Sequence, residues 1–352
     1  MANLMTIPRE LRDTILSLAL RARWQPPNTI AEIEQQDRDF TDADDWWDKA
    51  VYSSTNPDDY RSSALPLLLT SKQIKAETLE AVSRAPIQYE LDVKFLKEHY
   101  LVPTWVSIPV LSPKVHHLRA TFQSVGVYER KVGALNLKER YALYDIWRSG
   151  CGGPTRYLWT FYSMLTQFLK FGPTGPADPD TERNVTIDSL ELDFLDPEDV
   201  TLLPPAAETS DEKYQVARLH EYRELGEPPS AQMLRPEWLA ENLANEINGL
   251  LSMGYHHSSY GGILYKWIGR IIFKVNGDIV REFDLGQMLA DLRFHDDFGQ
   301  EYWNHRVHHW GYWKQTALEE RAKKGLKVVE PSINWWQEAQ EDARRIYAGR
   351  SA

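Results

Sequence analysis

Cysteine is almost absent from this sequence of 352 residues, since Cys151 is the single one. One thiol cannot form an internal disulfide framework or a zinc site built from several cysteines. The first residues also lack the apolar core of a signal peptide, because Arg12, Asp13 and Ser17 interrupt the apolar run at 11–20. Together these absences predict a protein of the cytoplasm or the nucleus.

Long apolar runs and long basic runs are missing as well. No stretch approaches the roughly 18 apolar residues of a membrane-spanning helix, so no membrane span is predicted. The chain has 40 Lys and Arg residues against 51 Asp and Glu residues, a formal net charge of −11. Binding to phosphate groups depends on a basic surface, so this charge argues against a general nucleic-acid-binding protein.

Sequence motifs of known catalytic sites are also missing. The Gly-Gly pairs at 152–153 and 261–262 do not match a phosphate-binding loop, and no Gly-x-Ser-x-Gly pattern occurs. Glycines flank Cys151 without any nucleophile signature, which favours a simple turn. The sequence therefore predicts no catalytic residue and no cofactor.

Three histidines near the C-terminal end are candidate metal ligands. His305 and His309 are four residues apart, which is a common spacing of zinc ligands on one helical face, and His295 lies nearby. Trp303 and Trp310 in the same stretch favour aromatic packing instead. A metal protein or an enzyme built on these histidines is a remote alternative, and no metal is predicted.

Apolar and aromatic residues are plentiful, with 13 Trp, 17 Tyr and 11 Phe, so a globular core is expected. Alternating apolar and polar residues predict strands at 87–93, 115–122, 185–194, 268–275 and 279–283, the last two joined by an Asn276-Gly277 hairpin turn. Helices are predicted at 156–171, 211–225 and 236–253, whereas the proline-rich stretch 103–113 is predicted as a surface loop. Strands separated by helices favour an α/β (or α+β) fold with a mainly parallel sheet.

The N-terminal segment 7–20 predicts a helix with too much apolar surface for a single packing partner. Pro8 suits its first turn, Thr6 can cap it, and Glu10 lies on the favourable side of the helix dipole. One apolar stripe consists of Leu11, Ile15, Leu18 and Ala19, and a second set consists of Ile7, Leu16 and Leu20. A further helix is predicted at 65–84, ended by Pro86.

Two blocks in these helices resemble the fungal F-box-like domain family: Ile7-Pro8-Arg9-Glu10-Leu11-Arg12-Asp13, and Leu67-Leu68-Leu69-Thr70-Ser71-Lys72-Gln73-Ile74. The resemblance implies a small helical unit that docks on the Skp-type adaptor of a cullin-type ubiquitin ligase, while the remaining chain holds the substrate. The partner-binding residues that it implies are Ile7, Pro8, Leu11, Ile15, Leu16, Leu68 and Leu69. True F-boxes keep the two blocks closer together.

The segment 28–64 between the blocks is acidic and is predicted to be a solvated excursion. It contains Trp46 and Trp47, which are candidates for anchoring a protein partner. The predicted organisation is an F-box-like unit at 1–85 with this acidic insert, an irregular α/β domain at 86–284, and an aromatic-rich helical tail at 285–352. A last helix is predicted at 332–349.

Three functions remain open at this point. A substrate receptor of a ubiquitin ligase requires Ile7, Leu11 and Ile15 to be partly exposed. A scaffold subunit of another assembly, with no ligase role, would expose Trp46 and Trp47 or the aromatic tail instead. The remote metal-site alternative requires the three histidines to converge in a pocket.

Overall fold

The computed structural model describes residues 4–40, 51–127, 154–173, 182–204, 233–254, 257–294 and 306–331, and isolated positions up to 344. The helices are α1 (Arg9–Leu20), α2 (Ile30–Glu34), α3 (Ala64–Leu68), α4 (Lys72–Ser83), α5 (Arg156–Phe171), α6 (Pro236–Leu251), α7 (Ser258–Trp267), α8 (Leu285–Asp291) and α9 (Arg306–Lys323). The strands are β1 (Arg38–Phe40), β2 (Tyr52–Ser54), β3 (Gln88–Leu96), β4 (Tyr100–Ser107), β5 (Lys114–Val125), β6 (Thr186–Leu195), β7 (Ile268–Val275) and β8 (Asp278–Asp284).

Six of these strands form one mixed sheet in the order β4-β3-β5-β6-β7-β8. The four central strands are parallel, and each edge strand pairs antiparallel with its neighbour. Strand β5 is connected to β6 through α5, and β6 to β7 through α6 and α7, as the alternation of strand and helix patterns predicted, whereas β3 reaches β5 through strand β4. The α/β class is therefore confirmed.

The β7–β8 hairpin shows why the sequence signal for its turn was clear. Asn276 and Gly277 both adopt positive φ angles, of 51° and 89°. This conformation matches the twist of a two-residue hairpin turn, and Asn-Gly is the pair that adopts it most easily. The predicted strand at 268–275 coincides with β7.

Strand β4 corrects the prediction of a surface loop at 103–113. Its residues Tyr100–Ser107 pair with β3, and Pro103 lies opposite Val93. Proline has no N–H to donate to a neighbouring strand, so it is tolerated in an edge strand. β4 is such an edge in the described sheet, and the proline therefore did not exclude a strand.

The main hydrophobic core lies on one face of this sheet. Phe122 and Phe194 stack with ring centroids 4.9 Å apart, and Phe194 and Phe273 follow at 6.3 Å. Side chains from α5, α6, α7, α8 and α9 belong to the same core. The helices at 156–171 and 236–253 were predicted from their apolar periodicity, and the structure has them as α5 and α6.

A smaller apolar cluster lies at the β3–β4 end of the sheet. It joins Ile33 of α2 to Leu96, Tyr100, Val102 and Val125, with Ile30 and Tyr52 packed against it. The Arg38 guanidinium fixes the β1–β2 ribbon here by donating to the carbonyl of Pro103 and the hydroxyl of Thr104. The excursion predicted at 28–64 is therefore partly regular structure packed on the sheet.

The N-terminal helices form a separate small unit in which α1 and α3 both pack against α4. Pro8 is the N-cap residue of α1, with no side-chain cap, so the predicted cap by Thr6 is not formed. The helix predicted at 65–84 is divided into α3 and α4, because Ser71 adopts an extended conformation and caps α4 by accepting from the Ile74 N–H. Hydrogen bonds from the Ser63 and Ala64 N–H groups to the carbonyls of Ile108 and Pro109 attach this unit to the segment after β4.

Helix α9 is attached to the rest of the core by two fully buried cations. Lys314 donates to the carbonyls of Ala290 and Leu292, at the end of α8. Arg321 donates to the carbonyls of Tyr265 and Ile268, where α7 passes into β7, and to that of Lys327. Apart from that of Lys327, these carbonyl groups lie at helix ends, where they have no partner within their own helix.

Some predictions fall outside the described residues, namely the helix at 211–225 and most of the helix at 332–349. Within the described ranges, none of the helices is both long enough and apolar enough to cross a membrane.

Candidate protein-docking surface

A buried ion pair fixes α1 against α4. The Arg12 guanidinium donates to both carboxylate oxygens of Glu77, from Nε at 2.9 Å and from Nη2 at 2.8 Å, and Nη1 donates to the Ile7 carbonyl. Both side chains are buried. Hydrogen bonds from Arg12 and then from Gln73 lower the pKa of Glu77 to about 2. This bidentate geometry defines the rotation of α1 about its own axis as well as its position.

Four further charged side chains extend this contact toward solvent. Arg9 donates to Asp13 within α1 at 2.7 Å and to Glu80 of α4 at 2.6 Å. Arg84 at the end of α4 contacts both Asp13, at 3.3 Å, and Glu80. The hydrogen bond from Arg9 lowers the pKa of Asp13 and of Glu80. The ion pairs between the two helices therefore extend from the buried Arg12–Glu77 pair to the exposed ends of Arg9, Glu80 and Arg84.

One apolar row of α1 faces solvent. Leu11, Ile15 and Leu18 are spaced four and three residues apart, and Leu11 and Leu18 are 55% and 67% exposed. The buried residues of α1 are Arg12, Leu16 and Leu20, on another side of the same helix. The ion pair with Glu77 thus holds the row of Leu11, Ile15 and Leu18 outward.

The second sequence block also contributes exposed leucines. Leu69 at the end of α3 is 76% exposed, and Leu65, one turn earlier, is exposed as well. Leu68 and Ile7 are half-buried, and Pro8 is exposed. We call the exposed side chains Leu11, Ile15 and Leu18 of α1 the leucine surface.

Leu16 does not belong to the partner-binding residues, although the resemblance implied that it does. Its side chain is fully buried, because it lies on the side of α1 that also carries Arg12 and Leu20. It stabilises the helical unit and cannot contact a partner. Leu18, which belonged to the predicted apolar stripe but not to the predicted site, takes its place at the surface.

The remaining predicted residues cannot be placed in this surface. Trp46 and Trp47 lie outside the described residues, as do His295 and His305. His309 falls within α9, but its side chain is outside the description. Among the side chains that are described, no group of three or more His, Cys, Asp or Glu residues is arranged to hold a metal ion.

Comparisons of this chain with protein-family models, with curated proteins and with solved structures gave no match.

Proposed function

We propose that this chain is a protein-interaction subunit whose leucine surface docks on a helical protein partner. The observation that supports it is the exposure of Leu11, Ile15 and Leu18 on a helix whose opposite side is fixed by a buried ion pair. An amphipathic helix that binds in a groove uses apolar anchors at this spacing. Full burial of one such side chain contributes about 1.5 to 3 kcal/mol, so the row can supply a substantial part of a binding energy.

The partner that the F-box-like blocks favour is a Skp-type adaptor of a cullin-type ubiquitin ligase. In this proposal the N-terminal helices bind the adaptor and the α/β part holds the protein to be modified. The exposure of Leu11 and Ile15 and the half-burial of Ile7 are what a substrate receptor requires. The adaptor itself is inferred from the resemblance alone.

A scaffold subunit of another assembly is the second candidate. The connection between the two blocks contributes α2 and the β1–β2 ribbon, which pack on the sheet. The helical unit is therefore joined to the sheet by more than a linker, unlike a free-standing F-box. In this alternative the leucine surface binds a different protein, without any ligase role.

The test is co-purification from the native host with mass spectrometry, using wild type and Leu11→Asp/Ile15→Asp. Ile279→Asp/Val280→Asp is the matched control, because it places two charges on exposed apolar residues of β8, away from α1. We expect the adaptor and the cullin with wild type and with the control, and their loss in a Leu11/Ile15 variant that retains its circular dichroism spectrum. If other proteins co-purify with wild type and the adaptor does not, the result favours the scaffold subunit over the ligase receptor. Unchanged recovery of every partner in the Leu11/Ile15 variant would refute docking through this surface.

A further inference from the structure

The sheet has a second face whose chemistry differs from that of its core face. Side chains alternate along a strand, and Leu190, Leu192 and Phe194 of β6 belong to the main core. Glu191 and Asp193 therefore project from the opposite face. The strand register places Arg119 of β5 beside Glu191, and Lys274 of β7 beside Asp193. A parallel sheet usually has apolar residues on both faces, so this polarity calls for an explanation.

We call Arg119, Glu191, Asp193, Arg270 and Lys274 the charged face. The described helices that share a core with the sheet lie elsewhere: α5 to α9 contribute to the main core, and α2 packs at the β3–β4 end. Ile272, which lies beside Glu191 in the register, belongs to neither apolar cluster. Ile272 and both acids are buried there, whereas the side chains of Arg119 and Arg270 reach solvent.

The charges on this face are layered. The acids form the base, since the side chains of Glu191 and Asp193 are almost fully buried. Lys274 Nζ lies 2.8 Å from Glu191, and Arg119 contacts Glu191 through Nε at 3.2 Å and Asp193 through Nη2 at 2.8 Å. The arginines form the outer layer, because the side chains of Arg119 and Arg270 are 43% and 51% exposed. A partner would therefore meet guanidinium groups first.

Both arginines retain hydrogen-bonding capacity. Arg119 donates a hydrogen bond to Asp193 through Nη2 and makes an ion-pair contact with Glu191 through Nε. Arg270 donates to Ser189 through Nε, and its Nη1 lies 3.6 Å from Glu282. In the described part of the chain, Arg119 Nη1 and Arg270 Nη2 have no partner. A guanidinium held in place by its other nitrogens is a preorganised donor for a carboxylate.

From these observations we infer that the charged face binds an acidic segment of a protein in an extended conformation. Arg119 and Arg270 are two strands and two residues apart, or about 12 Å. Acidic residues three or four positions apart in an extended chain match that distance. Nucleic acid fits less well, because two exposed arginines do not form the extended basic surface on which phosphate binding depends. The segment would belong to the client of the receptor proposed above, and to that extent the inference rests on the proposed function.

The binding test uses fluorescence anisotropy with labelled (Glu-Ser-Gly)4, (Gln-Ser-Gly)4 and (Lys-Ser-Gly)4 peptides and a single-stranded oligonucleotide. We expect the Glu peptide to bind at least tenfold more tightly than the Gln peptide, and this difference to decrease as salt rises. Arg270→Gln should weaken Glu-peptide binding about fivefold, the effect of one exposed ion pair. Lys323→Gln, the matched control, removes an exposed positive charge from α9, which packs on the core face, and should leave the affinity unchanged.

The inference is overturned if wild type does not distinguish the Glu peptide from the Gln peptide, if Arg270→Gln binds as wild type does, or if the oligonucleotide binds more tightly than the Glu peptide. Arg270 is the position of choice because it is exposed, whereas replacing Arg119 would leave two buried acids less well compensated. Leu11→Asp/Ile15→Asp should bind the Glu peptide normally. If this variant loses the adaptor but still binds the Glu peptide, the leucine surface and the charged face act independently. A failure of one proposal can then be told apart from a failure of the other.

Discussion

Replacement of Arg321 by methionine removes a fully buried cation that donates to three carbonyl groups, those of Tyr265, Ile268 and Lys327. Hydrogen bonds from a charged donor contribute about 1.5 to 3 kcal/mol each, so their loss costs about 4 to 9 kcal/mol. Burial lowers the pKa of Arg321 from 12.5 to about 10, so removing the cation also relieves part of its desolvation cost and brings the net loss to the lower end of that range. The net expectation is a loss of about 4 kcal/mol in the free energy of unfolding.

Urea unfolding followed by far-ultraviolet circular dichroism measures this loss. Arg321→Lys keeps the charge but offers one nitrogen for three carbonyls, so it should be no more stable than Arg321→Met. Lys323→Met is the control, because Lys323 is exposed two residues further along α9 and should change stability by no more than about 0.5 kcal/mol. A methionine variant as stable as wild type would refute the reasoning, because it would show that apolar packing replaces the buried cation without loss.

Two further predictions concern the N-terminal unit. Leu16→Ala should lower the free energy of unfolding by about 2 to 5 kcal/mol in the same urea titration, because Leu16 is fully buried. Leu18→Ala should change it by less than about 0.5 kcal/mol, because Leu18 is exposed. Equal losses in the two variants would contradict the outward orientation of the leucine surface. Because Arg12 lowers the folded-state pKa of Glu77 to about 2, the stabilising contribution of the carboxylate is fully present above the unfolded value of about 4.5 and is lost as the pH falls toward 2. As the pH falls through that range, the free energy of unfolding should decrease less for Glu77→Gln than for wild type. If it depends on pH identically in both proteins, the Arg12–Glu77 pair does not titrate in this way.

The fold could be predicted where one local pattern determines the structure. The alternation of side chains in β6, the Asn276-Gly277 turn and the apolar stripe of α5 are all properties of neighbouring residues. Helix α7 was missed because it contains Gly261 and Gly262, which weaken a helix. The first of them is required by packing, since a Cβ at Gly261 would lie 2.1 Å from the Leu250 carbonyl oxygen.

The candidate sites depend on pairs of residues that the sequence does not relate. Leu11 and Leu16 both looked apolar and suitable for a partner, and only the pairing of Arg12 with Glu77, 65 positions away, decides which of them faces outward. The charged face likewise requires the register of three strands. Whether a residue such as Arg119 neighbours Glu191 is decided by the crossovers between β5, β6 and β7 rather than by local periodicity.

The attachment of α1 to α4 has a consequence for the order of events during synthesis. The charged residues that join the two helices all lie between Arg9 and Arg84, whereas the last strand of the sheet ends at Asp284. Translation at about 5 to 20 residues per second needs roughly 10 to 40 seconds for the intervening stretch. The α1–α4 pair can therefore form while most of the sheet is still unsynthesised, and a nascent chain would present Leu11, Ile15 and Leu18 to a partner before the charged face exists.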